Sequence, residues 1–94
     1  MHGVIVQVEI DESHEEEART ILREVTVPRA KQLAGFSAGN WLRALDDARG
    51  MSVLLFDTED AARAAAKEIK TQGPPPGAPV TMKAVDVFEV LASA

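Results

Sequence analysis

Between Val4 and Ile10 apolar and polar positions alternate: Val4, Val6, Val8 and Ile10 share one face, Gln7 and Glu9 the other. A period of two built on β-branched side chains predicts a strand. Asp11-Glu12 ends it, and from Ser13 the spacing changes. Ala18, Ile21, Leu22 and Val25 recur at i, i+3, i+4 and i+7, which predicts a helix. Ser13 followed by Glu16 fits the S-x-x-E capping box, and the carboxylates of Glu15 to Glu17 suit the positive end of a helix dipole. Arg19, Arg23 and Glu24 make the solvated face. Val27-Pro28 predicts a break near Thr26, because proline lacks a backbone donor and disfavours the α region for the residue before it. A second short helical piece then runs from Pro28 to Leu33, with Gly35 as its stop.

Phe36 to Leu45 is predicted as the second strand, with Phe36, Ala38, Asn40, Leu42 and Ala44 on one face. Ser37, Gly39, Trp41, Arg43 and Leu45 fall on the other. Asp46 to Gly50 is a polar turn of hairpin length. Met51 to Phe56 is apolar on both faces and therefore reads as a central third strand. Asp57 or Thr58 caps a helix reaching about Thr71, whose inner stripe is Ala61, Ala62, Ala65, Ala66 and Ile69. The proline-rich segment from Gly73 to Pro79 is a stiff connector. Val80 to Leu91 is the last strand, with Met82, Ala84, Phe88 and Val90 opposite Val85, Val87 and Leu91. The order β-α-β-β-α-β is the ferredoxin-like α+β arrangement: one domain over residues 1–94, a four-stranded antiparallel sheet with two helices on one face.

Two helices cover one face of such a sheet, yet both faces are apolar. Ile5 lies opposite the valines of strand one, Met51, Val53 and Leu55 lie opposite Ser52, Leu54 and Phe56, and strand four is apolar on both sides, so whichever face stays uncovered exceeds what soluble monomers usually expose. Burying it against the same face of a second copy predicts a two-fold homodimer. Charge narrows the other partners. Lys and Arg number 10 against 15 Asp and Glu, a net charge of -5, and the cations are scattered. Nucleic acid is therefore not an expected partner. No apolar run approaches the ~20 residues of a membrane span, and Met1-His2-Gly3 lacks the charged region of a signal peptide. With no cysteine to form disulfides, the expected location is the cytoplasm.

Candidate chemistry is sparse. Asn40 is an amide among Phe36, Ala38 and Leu42, so it needs partners: a core amide, or a pocket group that orients a carbonyl or phenol. Trp41, the lone tryptophan, is a packing anchor or a wall that stacks a flat ligand. Arg43 is expected to pair with Asp86 across the sheet or the dimer interface. His14 sits exposed at a helix start and His2 in a frayed terminus. The acidic run from Asp11 to Glu17 lacks the alternation of a calcium loop, so no metal site is expected.

The element order, the run Leu33-Ala34-Gly35-Phe36-Ser37-Ala38-Gly39-Asn40-Trp41 and the junction Leu55-Phe56-Asp57-Thr58-Glu59-Asp60-Ala61-Ala62 resemble the dimeric α+β barrel superfamily. Within it the chain is most similar to the antibiotic biosynthesis monooxygenase-like domains, over about residues 3 to 91. The resemblance implies two sheets packed face to face and a pocket between each sheet and its helices. Members of that group include cofactor-independent quinone-forming monooxygenases, haem-degrading enzymes and isomerases. The haem-degrading pattern has an Asn on strand one, a Trp on the second helix and a later His. Here strand one has Gln7, and Ala61 to Lys70 contains neither Trp nor His. No cofactor is therefore expected. Asn40, Trp41, Arg43 and Phe36 are the ligand-pocket candidates, and no catalytic residue is assigned. The scarcity of titratable interior groups favours a non-enzymatic binding or structural dimer. The alternative implied by the resemblance is a cofactor-independent monooxygenase-like or isomerase-like enzyme acting on a small aromatic or quinonoid compound.

Overall fold

A computed structural model describes residues 1–94. Four strands, β1 (His2–Ile10), β2 (Phe36–Arg43), β3 (Arg49–Phe56) and β4 (Val80–Glu89), form one antiparallel sheet in the order β2-β3-β1-β4. The third strand, expected to be central, is interior beside β1, while β4, also apolar on both faces, lies at an edge. The helical segments are α1 (Glu15–Ile21), α2 (Val27–Lys31) and α3 (Glu59–Gln72), giving the ferredoxin-like α+β order expected from the hydrophobic pattern.

The helix start departs from the capping-box reading. Ser13 lies inside a 3-10 turn, Glu12–His14, and Asp11 is the capping group. Its carboxylate accepts from the Ser13 N–H at 3.1 Å and from the Ser13 hydroxyl at 2.7 Å. Aspartate two residues earlier caps the 3-10 turn through Ser13 itself, and the Ser13 hydroxyl is used as a donor to it and not as a cap of α1.

Pro28 also acts differently from expectation. No break occurs near Thr26. A π turn, Leu22–Thr26, joins α1 to α2, and the Val27 N–H reaches back five residues to the Leu22 carbonyl. Proline cannot supply the i→i−4 donor that Glu24 needs, and widening the turn absorbs the defect without ending the helix. The extra residue rotates the inward face. Val25, at the centre of an ideal α-helical stripe, is 40% exposed. Thr26 and Ala30 turn towards the sheet in its place.

Two bulges redistribute side chains between the sheet faces. The β2–β3 register slips between Phe36 and Ala38. Phe36 consequently joins the helix-side core, edge-on to Phe56 at 6.0 Å between ring centroids, instead of sharing a face with Ala38 and Asn40. The β1–β4 register slips between Gln7 and Val8, so Gln7 faces Ala84 while Val8 faces Met82. Met82 thus lies on the helix side with Val85, not with Ala84 and Phe88. His2 is a paired strand residue opposite Phe56 and Glu89, not a frayed one.

The core sits where α3 meets the sheet. Val4, Val6, Leu54, Phe56 and Val85 pack against Ala62, Ala65 and Ala66. Alanines let α3 settle close to the strands, and Thr58 caps it by accepting from the Ala61 N–H at 3.1 Å. Gly35 makes the entry to β2 possible. It has φ +76°, and a Cβ there would lie 2.7 Å from the Ala61 Cβ. Only 11 of 94 residues are buried. That low number reflects the other half of the helical layer, where Ala18, Ile21 and Leu22 are half-buried and do not close against the sheet.

Candidate functional site

The gap left by α1 and α2 is a cavity of about 150 Å3. Its floor is the helix-side face of the sheet: Val6, Val8, Leu54, Ser52, Met82 and Trp41. Ala18, Ile21, Leu22, Thr26, Arg29, Ala30 and Leu33 form the roof. The third wall comes from the end of α3 and the proline-rich segment, with Ile69, Gln72, Gly73, Pro74, Pro75 and Ala78. The stiff connector of the sequence is thus also a structural side of the cavity. Pro74 and Pro75 hold it open because their fixed backbone cannot collapse inward.

Trp41 is the partition of this region. Its indole borders this cavity and also a larger one of about 340 Å3 towards α1, lined by Glu15, Arg19, Leu42, Arg43 and Met51 among others. The ring lies over Gly39, where a Cβ would come 2.9 Å from Trp41 Cη2 and 3.2 Å from Leu54 Cδ2. A missing side chain at Gly39 is what lets the indole lie flat along the strand.

The remaining sequence candidates scatter. Arg43 points to the helix side, where its Nε is 3.2 Å from Glu15 Oε1. It does not pair with Asp86, which lies on the opposite face beside Ile5. Glu15 also accepts from Arg19 at 2.9 Å. The Arg19 hydrogen bond, followed by the Arg43 charge, holds the Glu15 carboxyl below the usual range. Asn40 faces away from the cavity, on the helix-free side opposite Val53, and is exposed. Phe36 is a core residue against Phe56. The structure therefore brings Trp41 and Arg43 to one side of β2 and leaves Asn40 on the other.

Arg29 was not among the sequence candidates. Continued past Pro28, the stripe of Ala18, Leu22 and Val25 reaches Arg29, so an unbroken helix already places it on the inward face. That continuation is the sequence signal for Arg29, and reading Pro28 as a stop hides it.

A serine, a histidine and an aspartate also cluster at the helix start. Ser13 Oγ is 2.9 Å from His14 Nδ1, and Asp11 Oδ2 is 3.0 Å from the same nitrogen. A relay needs the two partners on different ring nitrogens. Here both compete for one, so the group is an exposed cap that holds Asp11 below its ordinary pKa, through the Ser13 hydroxyl first and His14 next.

No protein-family model matches the sequence, and no curated relative matches it. Solved structures do. The haem degrader MhuD from Mycobacterium tuberculosis, with two haems bound in its active site, superposes with a TM-score of 0.78 at 18% identity, over 100% of this chain and 99% of that one. The chain has the fold of the antibiotic biosynthesis monooxygenase-like proteins. A putative antibiotic biosynthesis monooxygenase from Deinococcus radiodurans gives 0.67 at 14% identity, covering 100% and 96% of the two chains. A Streptomyces coelicolor monooxygenase in complex with the ligand nanaomycin D gives 0.61 at 12%, covering 99% and 89%.

A monooxygenase-like fold raises the question of haem, and the residues answer it. The two histidines, His2 and His14, both lie outside the cavity, and no imidazole, phenolate or thiolate faces it. That donor set does not fit a haem iron, and no step is derived through one. No helix is long and apolar enough to cross a membrane.

Proposed function

We propose that this chain works as a two-fold homodimer whose subunits each hold a small planar aromatic or quinonoid compound in the cavity under α1 and α2 and oxygenate it without a bound cofactor. The observation that carries the reading is the cavity itself, an apolar space under α1 and α2 with the Trp41 indole as a flat wall. Structures of the same fold include monooxygenases, which supports turnover over simple binding. The dimer would cover the helix-free face, where Leu42 is 53% and Phe88 48% exposed.

A substrate with an acidic benzylic CH2, such as an anthrone, matches the resources of this cavity. It loses a proton to solvent, and its anion reduces O2. One oxygen atom becomes the new carbonyl, the other leaves as water, and the methylene carbon supplies all four electrons. The protein contributes orientation and exclusion of water, which raise the rate without acid–base side chains at the reacting carbon. Oxygen uptake with anthrone as substrate tests this. The expected result is consumption above the uncatalysed rate, falling about tenfold in Trp41→Ala as the stacking wall is lost. Uptake at the uncatalysed rate, with the compound still bound, would leave a binding dimer without turnover.

A further inference from the structure

The cavity under α1 and α2 is lined by one cationic residue. Arg29 lines its roof, half-buried, among Leu22, Ala30 and Leu33. Of the ion pairs in the chain none involves Arg29, although Arg19, Arg43, Arg49 and Arg63 are all paired. The only carboxylate on the cavity wall, Glu68, is engaged elsewhere, accepting from the Gln72 amide at 3.1 Å. Arg23 is also without an ion pair, but it is exposed to solvent, whereas Arg29 is half-buried against an apolar lining. The helix carries it on the same face as Ala18 and Leu22, which line the same cavity. A guanidinium bordering apolar side chains presents five donors in a fork that fits an oxyanion.

We infer that Arg29 is the specificity-determining residue of the cavity and that the ligand is an aromatic monoanion, a carboxylate, enolate or phenolate, whose charged oxygen pairs with this guanidinium while its ring lies against Trp41. The inference rests on the cavity being a site for planar aromatics, and it adds the charge that such a ligand carries. An unpaired guanidinium rewards one acidic oxygen and gives nothing to the neutral isostere. Trp41 belongs to the floor and Arg29 to the roof of the cavity, so ring and charge are recognised by separate elements.

Quenching of the single tryptophan reads the binding directly. The probes are 2-hydroxy-1,4-naphthoquinone, an enolate at neutral pH, and its neutral methyl ether, 2-methoxy-1,4-naphthoquinone. The native protein is expected to bind the enolate about ten- to a hundredfold more tightly than the ether, the range of a charge-assisted hydrogen bond. Arg29→Met should bring the two affinities together by weakening the enolate alone, and Arg29→Lys should restore part of the preference. Lys31→Met, which removes a cation of the same helix outside the cavity, should change neither. Acidifying until the hydroxy compound is neutral should abolish the preference in the native protein, a readout that needs no variant to fold. Equal affinities for both probes in the native protein, or a preference that survives Arg29→Met, would overturn the role of Arg29 and leave the aromatic cavity standing. Failure of both probes to quench Trp41 would overturn the cavity reading and this inference together.

Discussion

At the scale of single residues, the candidate site depends on what Gly39 leaves out. The Trp41 ring occupies the volume of a Gly39 side chain, so Gly39→Ala must displace either the indole or Leu54. Leu54 does not move freely, because it is 3% exposed and belongs to the core, so the indole must leave its seat towards the cavities it borders. The expected outcome is a loss of about 1–3 kcal/mol, the usual penalty of an overpacked methyl group, with a shift in tryptophan emission as the ring leaves its seat. Denaturant unfolding followed by fluorescence measures both. Unchanged stability and emission would mean that the ring does not lie where this geometry puts it. Trp41 and Arg29 show two kinds of visibility. A lone tryptophan on a predicted strand announces itself. Arg29 is one of several charges on a helix, and nothing in its immediate neighbours marks it as inward.

At the scale of elements, α1 is tied to the sheet mainly by charge. Its apolar residues border cavities, while Glu15 bridges Arg19 on the same helix and Arg43 on β2. Those partners hold the Glu15 carboxyl below its ordinary value in the folded chain. A depressed carboxylate contributes stability above its unfolded pKa, and that contribution disappears as pH falls through the folded value. Glu15→Gln removes the tie at every pH. Thermal melts from neutral to acid pH should therefore show the variant slightly less stable than the native protein near neutrality and indistinguishable from it at the acid end. The difference should be small, because all three side chains are partly solvated. A difference that persists unchanged into acid would assign the effect to packing. Most elements were legible in the sequence because period and caps are local: the alternation of β1, the alanine stripe of α3 and the Thr58 cap all stand as read. The π turn and the two bulges were not. Each shifts the pattern by one residue, and whether a chain breaks, bulges or widens its turn at such a point depends on what it packs against. Those shifts moved Phe36 and Met82 to the core side and Val25 to the surface, and they brought Thr26 and Ala30 inward in its place.

At the scale of the whole molecule, the subunit has a thin sheet with cover on one side. Across the uncovered face one row runs Asn40, Val53, Ile5, Asp86 and the next Ala38, Leu55, Gly3, Phe88. The apolar centre with polar groups towards both edges is the anatomy of an interface, and a chain with so few buried residues gains most from closing it. Val53 lies at the middle of that face. In a lone subunit Val53→Glu would put a carboxylate into water next to Asn40 and Ile5, with little effect on folding. In a face-to-face dimer it would place two like charges in a dry interface, at a cost of several kcal/mol each. Sedimentation separates the cases. The native chain should run at twice the single-chain mass, and Val53→Glu at the single-chain mass with an unchanged far-UV spectrum, because the variant loses its partner and not its sheet. A native chain that sediments as a single subunit at micromolar concentration would remove the second cover from the design. A dimer that tolerates Val53→Glu would place its contact elsewhere on the molecule.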